Sequence, residues 1–148
     1  MNTDLENHYR KLENMYHKNA PINKYFKPQL TISKGYAELL IPVREDFFHA
    51  GGSLHGSVYF KAADDAAYFA AQSFVQDYFI FTTNFTINII RPVTSGVLKA
   101  IGTILQRGRN LMIAEAELFN DAGKLVAKGS GNFMKSPEKL REDIGYTL

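Results

Sequence analysis

Cysteine is absent from the 148-residue chain, which excludes disulfides, thiolate nucleophiles and thiolate metal sites. An excess of charge is nearly absent too: 17 Lys and Arg face 15 Asp and Glu, a formal net charge of +2. That leaves no electrostatic footprint for nucleic acid, while a small positive excess still suits an anionic small molecule. No apolar run is long enough to span a bilayer, because the longest is broken by Lys61, Asp64 and Asp65. The first ten residues are polar and charged and do not read as a secretory signal. The expectation is a cytoplasmic protein with neither a membrane nor a nucleic acid as partner. What is present, 45% hydrophobic and 22% charged residues, is the composition of one ordinary globular domain.

The hydrophobic period places the elements. Leu5, Tyr9, Leu12 and Tyr16 recur in steps of four, three and four, which predicts an amphipathic helix over residues 3–19. Thr3 or Asp4 is available as its N-cap, and Ala20-Pro21 stops it. From Leu30 the period becomes two. Residues 30–32 and 36–43 read as a hairpin turning at Ser33-Lys34-Gly35. A glycine-rich loop follows, His49-Ala50-Gly51-Gly52-Ser53-Leu54-His55-Gly56-Ser57, and runs into a helix over residues 57–76 that is apolar on nearly every side. Alanines at 62, 63, 66, 67, 70 and 71 leave room for a sheet to approach it closely. Residues 79–91, 97–106, 111–119 and 124–133 read as four strands of an antiparallel meander with short polar connections. The expected class is α+β: a curved antiparallel sheet of five to six strands wrapped around one long central helix, with an extra N-terminal helix. Residues 1–27 form that helix and a linker packed on the main body, 28–136 the main domain, and 137–148 a loosely held tail. A single sheet leaves an open edge, which argues for a homo-oligomer joined through sheet edges or helix faces.

Several residues invite a chemical reading beside a structural one. Asp64 on the buried helix can activate water or attack a carbonyl, or it can simply pair with Lys61 one turn earlier. Asp65 is its competitor, with a pair to Lys61 as its structural role. The Gly56 N–H, at the start of the helix, can hold developing negative charge; the glycine can equally serve loop geometry alone. His49 can orient water or polarise a carbonyl, and His55 can hold the loop. Thr82 is either a partner near the reacting centre or an ordinary strand residue. Arg107 and Arg109, flanking Gly108, can hold phosphates or form a solvated tip. His8 and His17 read as solvated. The spacing of His49, His55 and Asp64 matches no metal motif, so no metal is expected.

Three landmarks, in order and at matching spacing, resemble the hotdog-fold acyl-CoA thioesterases of the phenylacetate-pathway (PaaI-like) branch, over residues 30–134. The first is His55-Gly56 followed by Asp64 nine positions after the histidine. The second is Asn88-Ile89-Ile90-Arg91-Pro92. The third is Arg107-Gly108-Arg109 with Ala114-Glu115-Ala116 and Asp121-Ala122-Gly123-Lys124-Leu125-Val126-Ala127. Two positions depart from the pattern: Ser57 stands for a second glycine, and His49 for a frequent asparagine. The resemblance implies a hotdog fold and a hydrolase of small-to-medium or aromatic acyl-CoA. In it Asp64, Gly56 and His49 act in catalysis, and His55, Thr82, Arg107 and Arg109 in substrate binding. It implies no cofactor beyond the coenzyme A of the substrate, a site shared between neighbouring subunits, and a homo-oligomer that is either a dimer or a dimer of dimers (a homotetramer). Two rivals remain: a hotdog hydratase-dehydratase, which would pair His49 with Asp64, and a non-catalytic acyl-CoA-binding module.

Overall fold

The computed structural model describes residues 2–148. Helix α1 (Thr3–Asn19) is capped by Asn2, whose side chain accepts from the Asp4 and Leu5 amides at 3.1 and 3.4 Å. The cap therefore sits one residue before the expected Thr3 or Asp4. Tyr9, Leu12, Met15 and Tyr16 form its buried stripe. A one-turn helix α2 (Asn23–Phe26) follows Pro21. Strands β1 (Gln29–Ser33) and β2 (Tyr36–Pro42) form the predicted hairpin, with Gly35 in the left-handed conformation its turn requires (φ +66°).

Helix α3 (Gly56–Gln72) is the centre of the molecule, and its six predicted alanines are fully buried. Strand β4 (Val97–Arg107) passes so close that a Cβ on Gly102 would overlap the Ala66 carbonyl. Only glycine allows that approach. The helix ends four residues before the predicted Gln76 because side chains take over from the backbone ladder. The buried Gln72 amide donates to the Val75 and Tyr78 carbonyls, and its oxygen accepts from Ile80 N–H. Ser73 Oγ donates to the Ala70 carbonyl and accepts from Gly35 N–H.

The remaining strands are β3 (Tyr78–Ile89), β5 (Leu111–Phe119) and β6 (Leu125–Lys139). They complete a six-stranded antiparallel sheet in the order β1-β2-β4-β5-β6-β3. The hotdog expectation holds, but the meander does not include β3. That strand crosses to the far side and pairs with β6, because β2 already occupies the free side of β4. Residues 90–96 are thus a crossover held at the loop, where Leu54 N–H donates to the Val93 carbonyl, and not a hairpin turn.

Two other expectations are corrected. The tail is docked: β6 runs through Pro137 to Lys139, Leu140 and Ile144 pack on the core, and Tyr146 reaches α1. Its anchor is His8, which is buried and not solvated; Nε2 donates to the Gln72 carbonyl at 3.0 Å and Nδ1 accepts from the Tyr146 hydroxyl at 2.7 Å. A carbonyl can only accept, which settles the tautomer. His17 is exposed but bonded, its Nε2 accepting from Leu30 N–H at 2.9 Å. With Glu13 accepting from Ile32 N–H and Arg10 donating to the Ile32 carbonyl, it closes the outer edge of β1. β3 therefore remains the open edge of the sheet.

Candidate active site

Gly56, Phe60, Asp64 and Tyr68 recur every four residues, so they form one stripe along α3. Strand β3 runs the opposite way along that stripe. Tyr68 donates its hydroxyl to the Ile80 carbonyl at 2.8 Å, and Thr82 Oγ1 donates to Asp64 Oδ1 at 2.8 Å. The Phe60 and Phe85 rings meet edge to face, and Ile89 lies beside Gly56. The helix and the open strand thus present one continuous face.

Asp64 is the chemically unusual group on it. Burial, reinforced by the neighbouring Asp65 carboxylate, raises its pKa to about 6, against the opposing pull of the Thr82 hydrogen bond and of Lys61. Its other oxygen, Oδ2, has no hydrogen-bond partner among the described residues. Asp65 lies in a closed network instead. Lys61 pairs with it at 2.6 Å and donates to Asn23 Oδ1 at 2.7 Å, while the Tyr16 hydroxyl donates to Asp65 Oδ2 at 2.6 Å. Asn23 Nδ2 returns to the Tyr16 carbonyl. The three charges on the central helix therefore divide: Lys61 and Asp65 bolt α1 and α2 to α3, and Asp64 is left over.

His55 caps α3. Its Nδ1 accepts from Ser57 N–H at 3.0 Å, and its carbonyl accepts from Val58 N–H. Those bonds satisfy the second and third helical amides, whereas the Gly56 N–H has no acceptor among the described residues. His49 is engaged inside the loop, with Nδ1 accepting from Gly51 N–H at 2.9 Å and Nε2 meeting Ser53 Oγ at 3.0 Å.

Within one chain these residues fall in three places. Asp64 and Thr82 line a cavity of about 670 Å³. Gly56 and His49 line a depression of about 380 Å³ beside Ile89. Eight residues of helix separate Gly56 from Asp64, about 12 Å at the standard rise, too far to grip one carbonyl. Arg107 and Arg109 surround a third hollow of about 310 Å³ with Lys135, and the Arg107 guanidinium stacks on Phe74 at 4.4 Å. Lys135 comes from β6, and no pattern in the sequence places it there. The Tyr16–Asp65 and Lys61–Asn23 bonds were equally invisible, since their partners are 49 and 38 residues apart.

The family model described as the thioesterase superfamily matches residues 51–127, just over half of the chain. The chain belongs to the thioesterase superfamily. A protein of Saccharolobus solfataricus provisionally named an esterase is 28% identical over 130 residues, 87% of this chain and 93% of that one. Among solved structures, the E. coli PaaI protein from the phenylacetic acid degradation operon superposes with a TM-score of 0.83 at 22% identity. It covers 92% of this chain and 98% of its own. Thioesterase HI1161 from Haemophilus influenzae gives 0.75 at 20% identity, over 83% and 87%. As a member of this superfamily the chain is a hydrolase of the thioesterase type. The matched segment holds Gly56, Asp64, Thr82, Arg107 and Arg109, and leaves His49, α1 and the tail outside it.

Proposed function

We propose that this thioesterase hydrolyses acyl-CoA, using Asp64 of one subunit and the Gly56 amide of another. The observation that carries the reading is the stripe itself. Gly56 and Asp64 stand symmetrically about Phe60, and on β3 Ile89 and Thr82 flank Phe85. A two-fold axis at that level brings the Gly56 of one copy beside the Asp64 of the other. The open edge of β3 and the exposed Phe60, Phe81 and Ile89 supply the contact.

In that dimer the thioester carbonyl lies against the Gly56 N–H, where the α3 dipole favours the developing oxyanion. Above pH 6 Asp64 is ionised and takes a proton from water as that water attacks the carbonyl, or attacks the carbonyl itself. Direct attack gives an acyl-aspartyl anhydride that water then hydrolyses to the free acid, releasing the carboxylate and a proton. The C–S bond breaks, coenzyme A leaves as the thiolate, and the proton returns to sulfur. His49 and His55 hold the loop that aims the amide. Thr82 holds the carboxylate, and Arg107, Arg109 and Lys135 offer cations for the phosphates. The substrate class is small-to-medium or aromatic acyl-CoA. The dimer is the minimum active unit, and the half-buried Leu40, Ile101 and Phe119 on the outer sheet face suit a dimer of dimers.

The test is thiol release from short, medium and aromatic acyl-CoAs. Asp64→Asn, which keeps the Thr82 hydrogen bond, is expected to lower kcat/KM by about 10²–10⁴-fold, the range of a positioned acid-base group. Turnover that survives the substitution overturns the assignment. Hydration of an enoyl-CoA without thiol release would move the activity to a hydratase.

A further inference from the structure

The cavity that Asp64 lines is completed by parts of the chain that the family match does not include. Its inner walls are α3 and β3, with Tyr68 and Phe69, but its floor comes from both chain ends: Met15 on α1, Ala20 just past its end, and Ile144 in the tail. Its volume, about 670 Å³, lies within the roughly 300–1,000 Å³ usual for small-molecule sites. Both ends are fastened independently of any ligand. The Tyr16–Asp65 and Lys61–Asn23 bonds fix α1 and α2, and the His8–Tyr146 and Asn14–Thr147 bonds fix the tail.

We infer that α1 and the C-terminal tail form the floor of the acyl pocket and set the longest acyl group accepted, with Ala20 and Ile144 as specificity-determining residues. The inference rests on the reading of Asp64 as the group at the thioester carbonyl, because Asp64 and Thr82 line the same cavity. The acyl group it fits carries no carboxylate at its end. Both cations lining the cavity are committed, Lys61 to Asp65, and Arg141 to Asp143 and Glu138, so a terminal carboxylate finds no free counter-charge.

Two opposite substitutions test it. Ala20 has extended backbone (φ −91°, ψ 103°), the conformation a residue before proline adopts, so Ala20→Phe fits the fold and raises the floor. Ile144→Ala lowers it. One methylene in an apolar pocket is worth about 10- to 200-fold in discrimination. The ratio of kcat/KM for octanoyl- to butanoyl-CoA is therefore expected to fall at least tenfold in Ala20→Phe and to shift toward longer chains in Ile144→Ala. Wild type is expected to prefer hexanoyl- to adipoyl-CoA at least tenfold. Calorimetry with non-hydrolysable thioether analogues of the same lengths runs in parallel. Hydrolysis with an unchanged length profile in both variants overturns the pocket and leaves the Asp64 chemistry standing. Absence of hydrolysis, with length-dependent binding that still shifts in the variants, supports the pocket and overturns the proposed activity. Equal turnover of adipoyl- and hexanoyl-CoA overturns its exclusion of a terminal carboxylate.

Discussion

Asp64 is a carboxylate held where its charge is costly. Its folded pKa, about 6 against 3.8 in the unfolded chain, means that the folded state binds the extra proton between those values. Stability from this group is therefore highest below pH 4 and is lost as the pH rises through 6. Each pKa unit corresponds to about 1.4 kcal/mol, so at pH 8 the ionised group costs about 1–3 kcal/mol, its solvent access being partial. Asp64→Asn removes that cost and is expected to raise Tm at pH 8, at about 2–4 °C per kcal/mol, while abolishing turnover. A carboxylate whose negative charge is net stabilised by its surroundings would lose stability on the same substitution; differential scanning fluorimetry at pH 8 decides. The same pKa sets the acid limb of kcat/KM near pH 6. Thr82→Val removes a hydrogen bond that favours the ionised form, so its limb moves to higher pH; a limb that stays in place contradicts the role given to Thr82. Asp64 was legible as a candidate from the His55-Gly56 spacing of the family this chain resembles. The network that sets it apart from Asp65 was not, because Tyr16 and Asn23 come from distant sequence.

At the scale of elements, helix α1 does three jobs: it covers α3, closes the edge of β1 and anchors the tail. Its stripe of Leu5, Tyr9, Leu12 and Tyr16 was readable as a period, and so were the alanines of α3 and the glycine turn of the first hairpin. The crossover of β3 was not readable, since alternation marks a strand without naming its neighbour. Nor was the docked tail, because its anchors, His8 and Tyr146, are 138 residues apart. Burial lowers the His8 pKa below 6.5, with the Lys11 charge acting the same way and the Gln72 carbonyl bond opposing them. The unfolded chain therefore takes up a proton on His8 before the folded one does. Stability from this latch is whole above pH 6.5 and declines as the pH falls below it. Asp64 has the opposite slope, so the informative quantity is a difference. The fall in Tm between pH 7 and pH 5 is expected to be larger in wild type than in His8→Gln; parallel curves would contradict a buried neutral His8.

At the scale of the whole molecule, one edge of the sheet is sealed by Glu13, His17 and Arg10 and the other is open along β3, beside the stripe of Gly56, Phe60, Asp64 and Tyr68. On the proposed reading that asymmetry leaves the monomer an incomplete site, since the amide and the carboxylate are two helical turns apart. The measurement that tests this most directly is subunit complementation in acyl-CoA hydrolysis. Gly56→Pro removes the proposed oxyanion donor without breaking the helix, because proline suits the first position of a helix and His55 already has the extended backbone that precedes it (φ −63°, ψ 144°). Losing one such donor costs about 10²–10³-fold in kcat. Asp64→Asn and Gly56→Pro are each expected to be nearly inactive alone. After dissociation and random reassociation as a mixture they should recover about a quarter of wild-type activity, since half the dimers are mixed and each mixed dimer has one intact site. A mixture that remains as inactive as its components would contradict a site shared between two copies of this chain.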